Sequence, residues 1–532
     1  MAQTLYYLKE NAYFEPLVLR WYAWPYLLPP MSAAMNLTGR SLRLMKSFVA
    51  NSQLHLAASQ NPELTGGDFV NCREDQVDAV RALIDELQTG HKDYMDLRKA
   101  IVQLNEMLEK CKGMSMEALY DAVPDPLRGL VELVYDMNHS ASYRIIEGLI
   151  YESPLYKPQV QRVSLGLLGD KVKERPFVLS SPRLPDENHL QLHMPFADQR
   201  LDRLFAARTA PVTRDEIEAI FAGVDCEGGL AVDELFTTDA PQIRRQPLAS
   251  GLRVSYIGHA GLMLETAQTT ILVDPVIPSR EASYADRVIS FSELPERIDY
   301  ICVTHTHMDH VCIETLLQLR HKTGKVLVPK NSGGSIVDPS IKLMLQRIGF
   351  EVMEFEDMER LRCADGVIRA IPFLGEHADL NIRSKTAWHF EFAGQKVFSG
   401  ADSSSLDARM YERIHAITGD VDLLFIGMEC VGAPMSWLYG SLFTKPIPRE
   451  INESRRFNGS DCASAQKMID IFKPSQVYIY ALGMEPWFKY FMGMDYTEDA
   501  RQIAESGRLL DICRHQQVEA GRLYAKQVWE LN

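Results

Sequence analysis

The sequence predicts an α/β protein in two parts: a mixed α+β domain over residues 1–245, then, over 246–532, a sandwich of two sheets with helices on both outer faces. Three observations predict it. Strands and helices alternate after residue 250, the pattern of layered α/β folds. The runs 298–303, 421–426 and 477–482 are near-continuously apolar, as strands buried on both faces must be. The first of these runs leads directly into His305-Thr306-His307-Met308-Asp309-His310, four potential metal ligands within six residues.

The chain has 532 residues, more than such a sandwich needs, which leaves the front part to be explained. Val77, Val80, Ile84 and Leu87, then Leu97, Ile101, Leu104 and Leu108, carry the spacing of amphipathic helices. Segment 158–196 reads as short strands with Pro and Gly turns, and in it His189 and His193 are expected to face solvent without a ligand role. Thr213 and Glu216 form a capping box that opens a helix through Phe221. Residues 239–250, with Arg244 and Arg245, read as a polar linker. The front part has no phosphate loop and no dinucleotide fingerprint, and 225–229 lacks the ligand ladder of a calcium loop. Its expected role is dimerisation and partner docking.

In the second part, 251–257 alternates as a strand, Gly258-His259-Ala260-Gly261 turns the chain, and strands 262–266 and 270–273 follow, closed by Asp274-Pro275. His259 is expected either to line the site or to take a supporting or structural role. At the end of 298–303, three imidazoles and a carboxylate so close repel or compete unless a cation holds them. Side chains alternate along an extended segment, so His305 and His307 can share one ion while Asp309 and His310, at a turn, reach another. Two ions roughly 3.5–4 Å apart make a dinuclear site. Helix 313–320, strand 326–328, helix 342–348 and strand 351–355 continue the alternation.

Further donors are expected at strand ends, where loops carry function on a rigid scaffold. Strand 367–373 ends at Gly375-Glu376-His377, and strand 396–399 ends at Gly400-Ala401-Asp402. Neighbours on an extended chain point apart, so only one of Glu376 and His377 is expected to reach a metal. A glutamate there adds hard oxygen and favours iron or manganese over zinc; His377 is the alternative. His389 is expected to be packed. No histidine lies between His415 and His515.

The run His305 to His310 resembles the HxHxDH signature of the metallo-β-lactamase fold, whose bridging aspartate corresponds in place to Asp402 and whose hydrolases end a late strand, here 477–483, with the histidine this chain lacks. Together with Gly375-Glu376-His377, Gly400-Ala401-Asp402-Ser403 and the long front part, it makes the whole chain resemble the diiron β-hydroxylases of nonribosomal peptide biosynthesis. That resemblance implies a homodimeric dinuclear non-haem iron monooxygenase. It implies two Fe ions on His305, His307, Asp309, His310, Glu376 and Asp402, with Glu376 the residue on which catalysis depends. It also implies O2 as co-substrate, an external electron donor supplied by a separate redox partner, and an aminoacyl thioester on a synthetase carrier domain as substrate. The branch serving chloramphenicol-type biosynthesis implies L-p-aminophenylalanine. The alternative is a dizinc hydrolase of a thioester, lactone or phosphodiester, with His377 in place of Glu376.

Composition narrows the rest. With 71 acidic and 56 basic residues, a net charge of −15 disfavours nucleic acid as a partner. No stretch has the length of a membrane span or the pattern of a signal peptide, and the 9 cysteines show no CxxC pairing, so a reduced, cytoplasmic setting is expected. Between 426 and 463, Trp437, Tyr439 and Phe443 precede Lys445, Arg449, Arg455 and Arg456. This long segment is expected to be a lid or a docking surface with a basic rim. An aromatic substrate is expected to stack on Trp437 or Tyr439, or on the cluster Trp487, Phe488, Tyr490 and Phe491.

Overall fold

A computed structural model describes residues 3–169, 174–243, 245–493 and 496–531. Two seven-stranded sheets form the second part. The first runs Val352–Phe355, Thr323–Pro329, Ile298–Cys302, Thr270–Val273, Gly261–Glu265, Leu252–Gly258 and Gln527–Leu531 in spatial order. The second runs Arg360–Arg362, Gly366–Ile371, Ala387–Phe392, Gln395–Ser399, Leu423–Gly427, Gln476–Tyr480 and Glu519–Arg522. Parallel pairing lies along the apolar runs: Ile298–Cys302 sits between two parallel neighbours, and so does Leu423–Gly427. Between the sheets, Val254, Leu262 and Cys302 meet Trp388, Phe390 and Phe425, all buried. Helices Ala408–Thr418, Cys462–Phe472 and Arg501–His515 cover the outer face of the second sheet.

The outer face of the first sheet carries helices Ile313–Leu319 and Ile341–Arg347, whose apolar residues share one continuous core with the front part. There, an antiparallel sheet of five strands, Trp21–Tyr22, Ala12–Val18, Gln161–Leu167, His189–Leu192 and Cys226–Glu227, packs with Val77–Asp85 and Lys92–Leu108. The helical spacing read in the sequence buries Val80 and Ile84 in one helix, and Leu97, Ile101, Leu104 and Leu108 in the other. Thr213 caps Arg214–Phe221 through the amide of Glu216, whose side chain bonds back to Thr213.

His189 and His193 depart from expectation. Neither simply faces solvent: His189 is held between Tyr13 and Asp186, and His193 lies 2.7 Å from Glu227 and 2.6 Å from Arg162. The strand His189–Leu192 is paired on both sides in the five-stranded sheet, so alternation there and at His193 just beyond it meets polar partners rather than only water. No described strand or helix lies between Phe236–Thr237 and Leu252–Gly258. In that stretch Arg245 pairs with Glu265, and Arg244 lies outside the described residues.

Candidate metal centre

The strand Ile298–Cys302 aims the site. Just past it, the Trp388 indole N–H on the opposite sheet donates to the Val303 carbonyl at 3.0 Å, and Thr386 N donates to Thr304 O at 2.7 Å, so both sheets grip the chain where the donors begin. His310 N and Val311 N then return to His307 O at 3.1 and 2.9 Å. This tight turn brings alternate residues of the run back onto one pocket.

The donors form three overlapping groups: His305, His307 and Glu376; His305, His310 and Asp402; and His259, Asp309 and His310. Within the first, His307 Nδ1 stands 3.2 Å from His305 Nε2 and 3.0 Å from Glu376 Oε1. In the second, Asp402 Oδ2 is 3.1 Å from His310 Nε2 and 3.7 Å from His305 Nε2. His259 Nε2 is 3.0 Å from Asp309 Oδ2, which is 3.6 Å from His310 Nε2. All are buried except Asp309, which is half-buried. His259 thus joins the donors more closely than its sequence position implied, at φ 52° in the turn after its strand.

A layer behind the donors fixes which nitrogen faces the pocket. His310 Nδ1 lies 2.7 Å from Asp274 Oδ2, and Thr304 Oγ1, which donates to the same carboxylate, lies 3.0 Å from His305 Nδ1. With each Nδ1 committed backward, Nε2 of His305 and of His310 is left for a metal. Asp274 was legible in the sequence only as the end of a strand. Asp402 stands at the end of Gln395–Ser399, where the neighbouring strand approaches closely: a Cβ on Gly427 would lie 2.6 Å from Asp402 Oδ1.

Of Glu376 and His377, the donor groups include only Glu376, though not for the reason expected. The chain is not extended there. Gly375 has φ 93°, and Glu376, His377, Ala378 and Asp379 follow with φ of 57°, 20°, 52° and 56°, a left-handed run that costs of order 1–3 kcal/mol per non-glycine residue. The coil turns both side chains inward. Glu376 joins the first donor group, while the His377 ring centroid sits 4.5 Å from that of His307 without joining any group. The Arg455 guanidinium braces the coil by donating to Ala378 O at 2.7 Å.

Electrostatics point to a bound cation. Burial, then the neighbouring rings of His310 and His307, push His305 well below the ordinary imidazole range. Burial raises Glu376, opposed by His307 and reinforced by Asp402 and Asp309. Burial works against charge on His310, but Asp402, Asp309 and Asp274 drive it well above its usual value. Imidazole nitrogens face one another, His305 Nε2 standing 3.2 Å from His307 Nδ1, and Asp402 Oδ1 is buried with no hydrogen-bond partner. A pair of metal ions satisfies every one of these atoms, so the residues present fit the group.

Elsewhere the expected features are differently disposed. His389 is packed as expected, and burial, then Lys396 and Arg369, push it down to about 3. The late strand Gln476–Tyr480 contributes to none of the donor groups; Tyr480 Oη instead accepts from Ala401 N at 2.9 Å, beside Asp402. In segment 427–462, Tyr439 is fully buried over the donors. Trp437 donates to Gly66 O at 3.0 Å and stacks on Phe177. Arg456 donates to a backbone carbonyl, as Arg455 does, while Lys445 and Arg449 pair with Glu109 and Glu453. Two of the four basic residues of the rim are therefore ion-paired within the chain, and the other two bond neutral carbonyls. Trp487, Phe488 and Phe491 are buried, and Trp487 and Tyr490 also line a cleft of about 700 Å³ between the two parts that none of the six predicted ligands borders.

Residues 7–241 match the family described as diiron non-heme β-hydroxylase N-terminal domain, and residues 269–436 match a β-lactamase superfamily domain. The chain is 36% identical to the 4-amino-L-phenylalanyl-[CmlP-peptidyl-carrier-protein] 3-hydroxylase of Streptomyces venezuelae, over 99% of this chain and 100% of the relative. The crystal structure of CmlA, a diiron β-hydroxylase from Streptomyces venezuelae, matches at TM-score 0.92 and 34% identity, covering 100% of each chain. A mutant of CmlA matches at TM-score 0.90 and 34% identity, covering 99% of this chain and 100% of that one. The chain belongs to the family of diiron non-haem β-hydroxylases with a metallo-β-lactamase fold.

Proposed function

We propose that His305, His307, Asp309, His310, Glu376 and Asp402 hold the two irons. The enzyme then hydroxylates the β-carbon of L-p-aminophenylalanine, carried as a thioester on the carrier domain of a nonribosomal peptide synthetase, in chloramphenicol-type biosynthesis. The observation that carries this reading is the composition of the donor groups, in which four imidazoles, His259 among them, are met by three carboxylates. Such a set is harder and richer in oxygen than a zinc hydrolase's, and suits iron. The full-length likeness to an enzyme named for 3-hydroxylation of a carrier-bound 4-amino-L-phenylalanyl group supports the substrate.

When bound, the iron pair supplies the binding and two-electron reduction of O2. Overall, the benzylic C–H becomes C–OH, the second oxygen atom leaves as water, and two electrons and two protons are consumed. The electrons come from a separate redox protein. The chain's own residues prepare the site. Asp274 and Thr304 hold His310 and His305 with Nε2 forward. Phe373, Tyr439 and Phe457 pack against the His305 and His307 rings and exclude water. Glu376, on a strained coil, supplies the carboxylate on which oxygen reactivity depends.

Domain 1–245 serves dimerisation and docking of the carrier, and 246–532 carries the chemistry. No described helix is long and apolar enough to cross a membrane, in keeping with a cytoplasmic enzyme meeting soluble partners. The test is turnover of the carrier-bound aminoacyl group with isotopically heavy O2 and a chemical or protein reductant. Label in a β-hydroxyl group is expected. Release of the free amino acid, with no label, would mean thioester hydrolysis instead.

A further inference from the structure

His377 is left over from the metal set. It is buried and adjoins Glu376, yet it belongs to none of the donor groups. Its Nδ1 lies 2.9 Å from Tyr439 Oη, and its Nε2 is enclosed with no hydrogen-bond partner. A buried ring nitrogen without a partner is costly unless something absent from the protein itself meets it.

Tyr439 determines what that nitrogen offers. The phenol oxygen also lies 3.0 Å from His307 Nε2. His307 turns Nδ1 toward His305 and Glu376, so its Nε2 carries the proton and donates to Tyr439. The phenol, whose single proton is then free, donates to His377 Nδ1. That leaves the His377 proton on Nε2. Tyr26 also meets the Tyr439 hydroxyl while donating its own proton to Val337 O at 2.9 Å, but the His377 imidazole nitrogen, 2.9 Å from Tyr439 Oη, is the stronger acceptor for the phenol.

We infer that His377 is a hydrogen-bond donor rather than a metal ligand. The relay His307 to Tyr439 to His377 holds an Nε2–H beside the donor pocket, ready to bond a small anion bound at the metal pair. Tyr439 is a positioning residue that acts through the imidazole. The left-handed coil makes the arrangement possible, because it brings Glu376 and His377 to the pocket together: one binds the metal and the other binds what the metal binds. This inference rests on the dinuclear iron site proposed above.

Azide titration of the oxidised, iron-loaded holoenzyme tests it, with iron per chain measured on the same samples. His377→Leu, which removes the donor at similar volume, is expected to keep wild-type iron and to weaken azide about tenfold, the usual cost of losing a hydrogen bond to a charged group. Tyr439→Phe, with its ring packing kept, is expected to weaken azide by a smaller factor at unchanged iron. His377→Gln, which restores an N–H, is expected to recover most of the affinity. Iron below the wild-type level in His377→Leu would make His377 a ligand and overturn the inference, and so would unchanged azide affinity in both variants that break the relay. If the wild type itself fails to take up two irons, the failure belongs to the dinuclear reading.

Discussion

Two buried clusters of charge lie on either side of the metal motif, and they are satisfied in opposite ways. Ahead of the helix Ile313–Leu319, the donors of the pocket crowd imidazole against imidazole and leave Asp402 Oδ1 and His377 Nε2 without partners. In that helix's first turn, Glu314 joins Glu15, Arg175 and Arg183 from the front part in a network just as deeply buried. There each charge meets its complement: Arg175 bonds Glu15 at 2.8 Å and Glu314 at 2.7 Å, and lies 3.6 Å over the Tyr490 ring. The first cluster awaits a ligand; the second joins the two parts of the chain. Charge density alone does not distinguish them. Unmet hydrogen-bonding capacity does.

The sharpest break in this comparison comes from Asp402→Ala, which removes the carboxylate lying between His305 and His310. Iron should fall from about two per chain to less than one, with hydroxylation abolished, while the folded protein persists. Arg175→Ala should do the reverse. It leaves Glu314 without its arginine and Glu15 with Arg183 alone, and should cost on the order of 3–5 kcal/mol of stability by denaturant titration, while the folded fraction retains its iron. Equal iron loss in both variants would erase the distinction.

Smaller effects sharpen it. Asp274→Asn keeps the shape of the layer behind His310 but weakens its hold, and metal affinity by competition with a chelator should fall roughly 10–100-fold. The second cluster also predicts a response to acid. Burial tends to raise Glu15, but Arg183 and Arg175 prevail and hold it at about 2, below its ordinary 4.5. The unfolded chain therefore binds the proton more readily, so the stability Glu15 contributes is complete above about 4.5 and is lost as pH falls toward about 2. Thermal unfolding of apo Glu15→Gln should depend less on pH in that window than that of the apo wild type. Parallel curves would remove Glu15 from the account.

The same contrast explains what the sequence could disclose. His305, His307, Asp309 and His310 were legible because a strand period and a turn sufficed to place them. Asp402 was legible because a short strand ends three residues before it. The pairing of Glu376 with His377 was not, since no local pattern forecasts four consecutive non-glycine residues with positive φ. Asp274, Tyr439 and the depth of His259 were hidden for a different reason. Each acts through a partner 30 or more residues away, Thr304, His307 and Asp309 respectively. Helix periodicity placed the front part's elements, but not the continuity of its core with the first sheet, nor Arg175, which lies in a stretch with no regular element.

The central claim is that this donor set selects iron, and metal content per chain tests it most directly, on protein expressed with iron and zinc both available. About two irons per chain and little zinc is the expected result for a carboxylate-rich dinuclear site. About two zincs per chain with little iron would contradict it and restore a hydrolytic reading of the pocket.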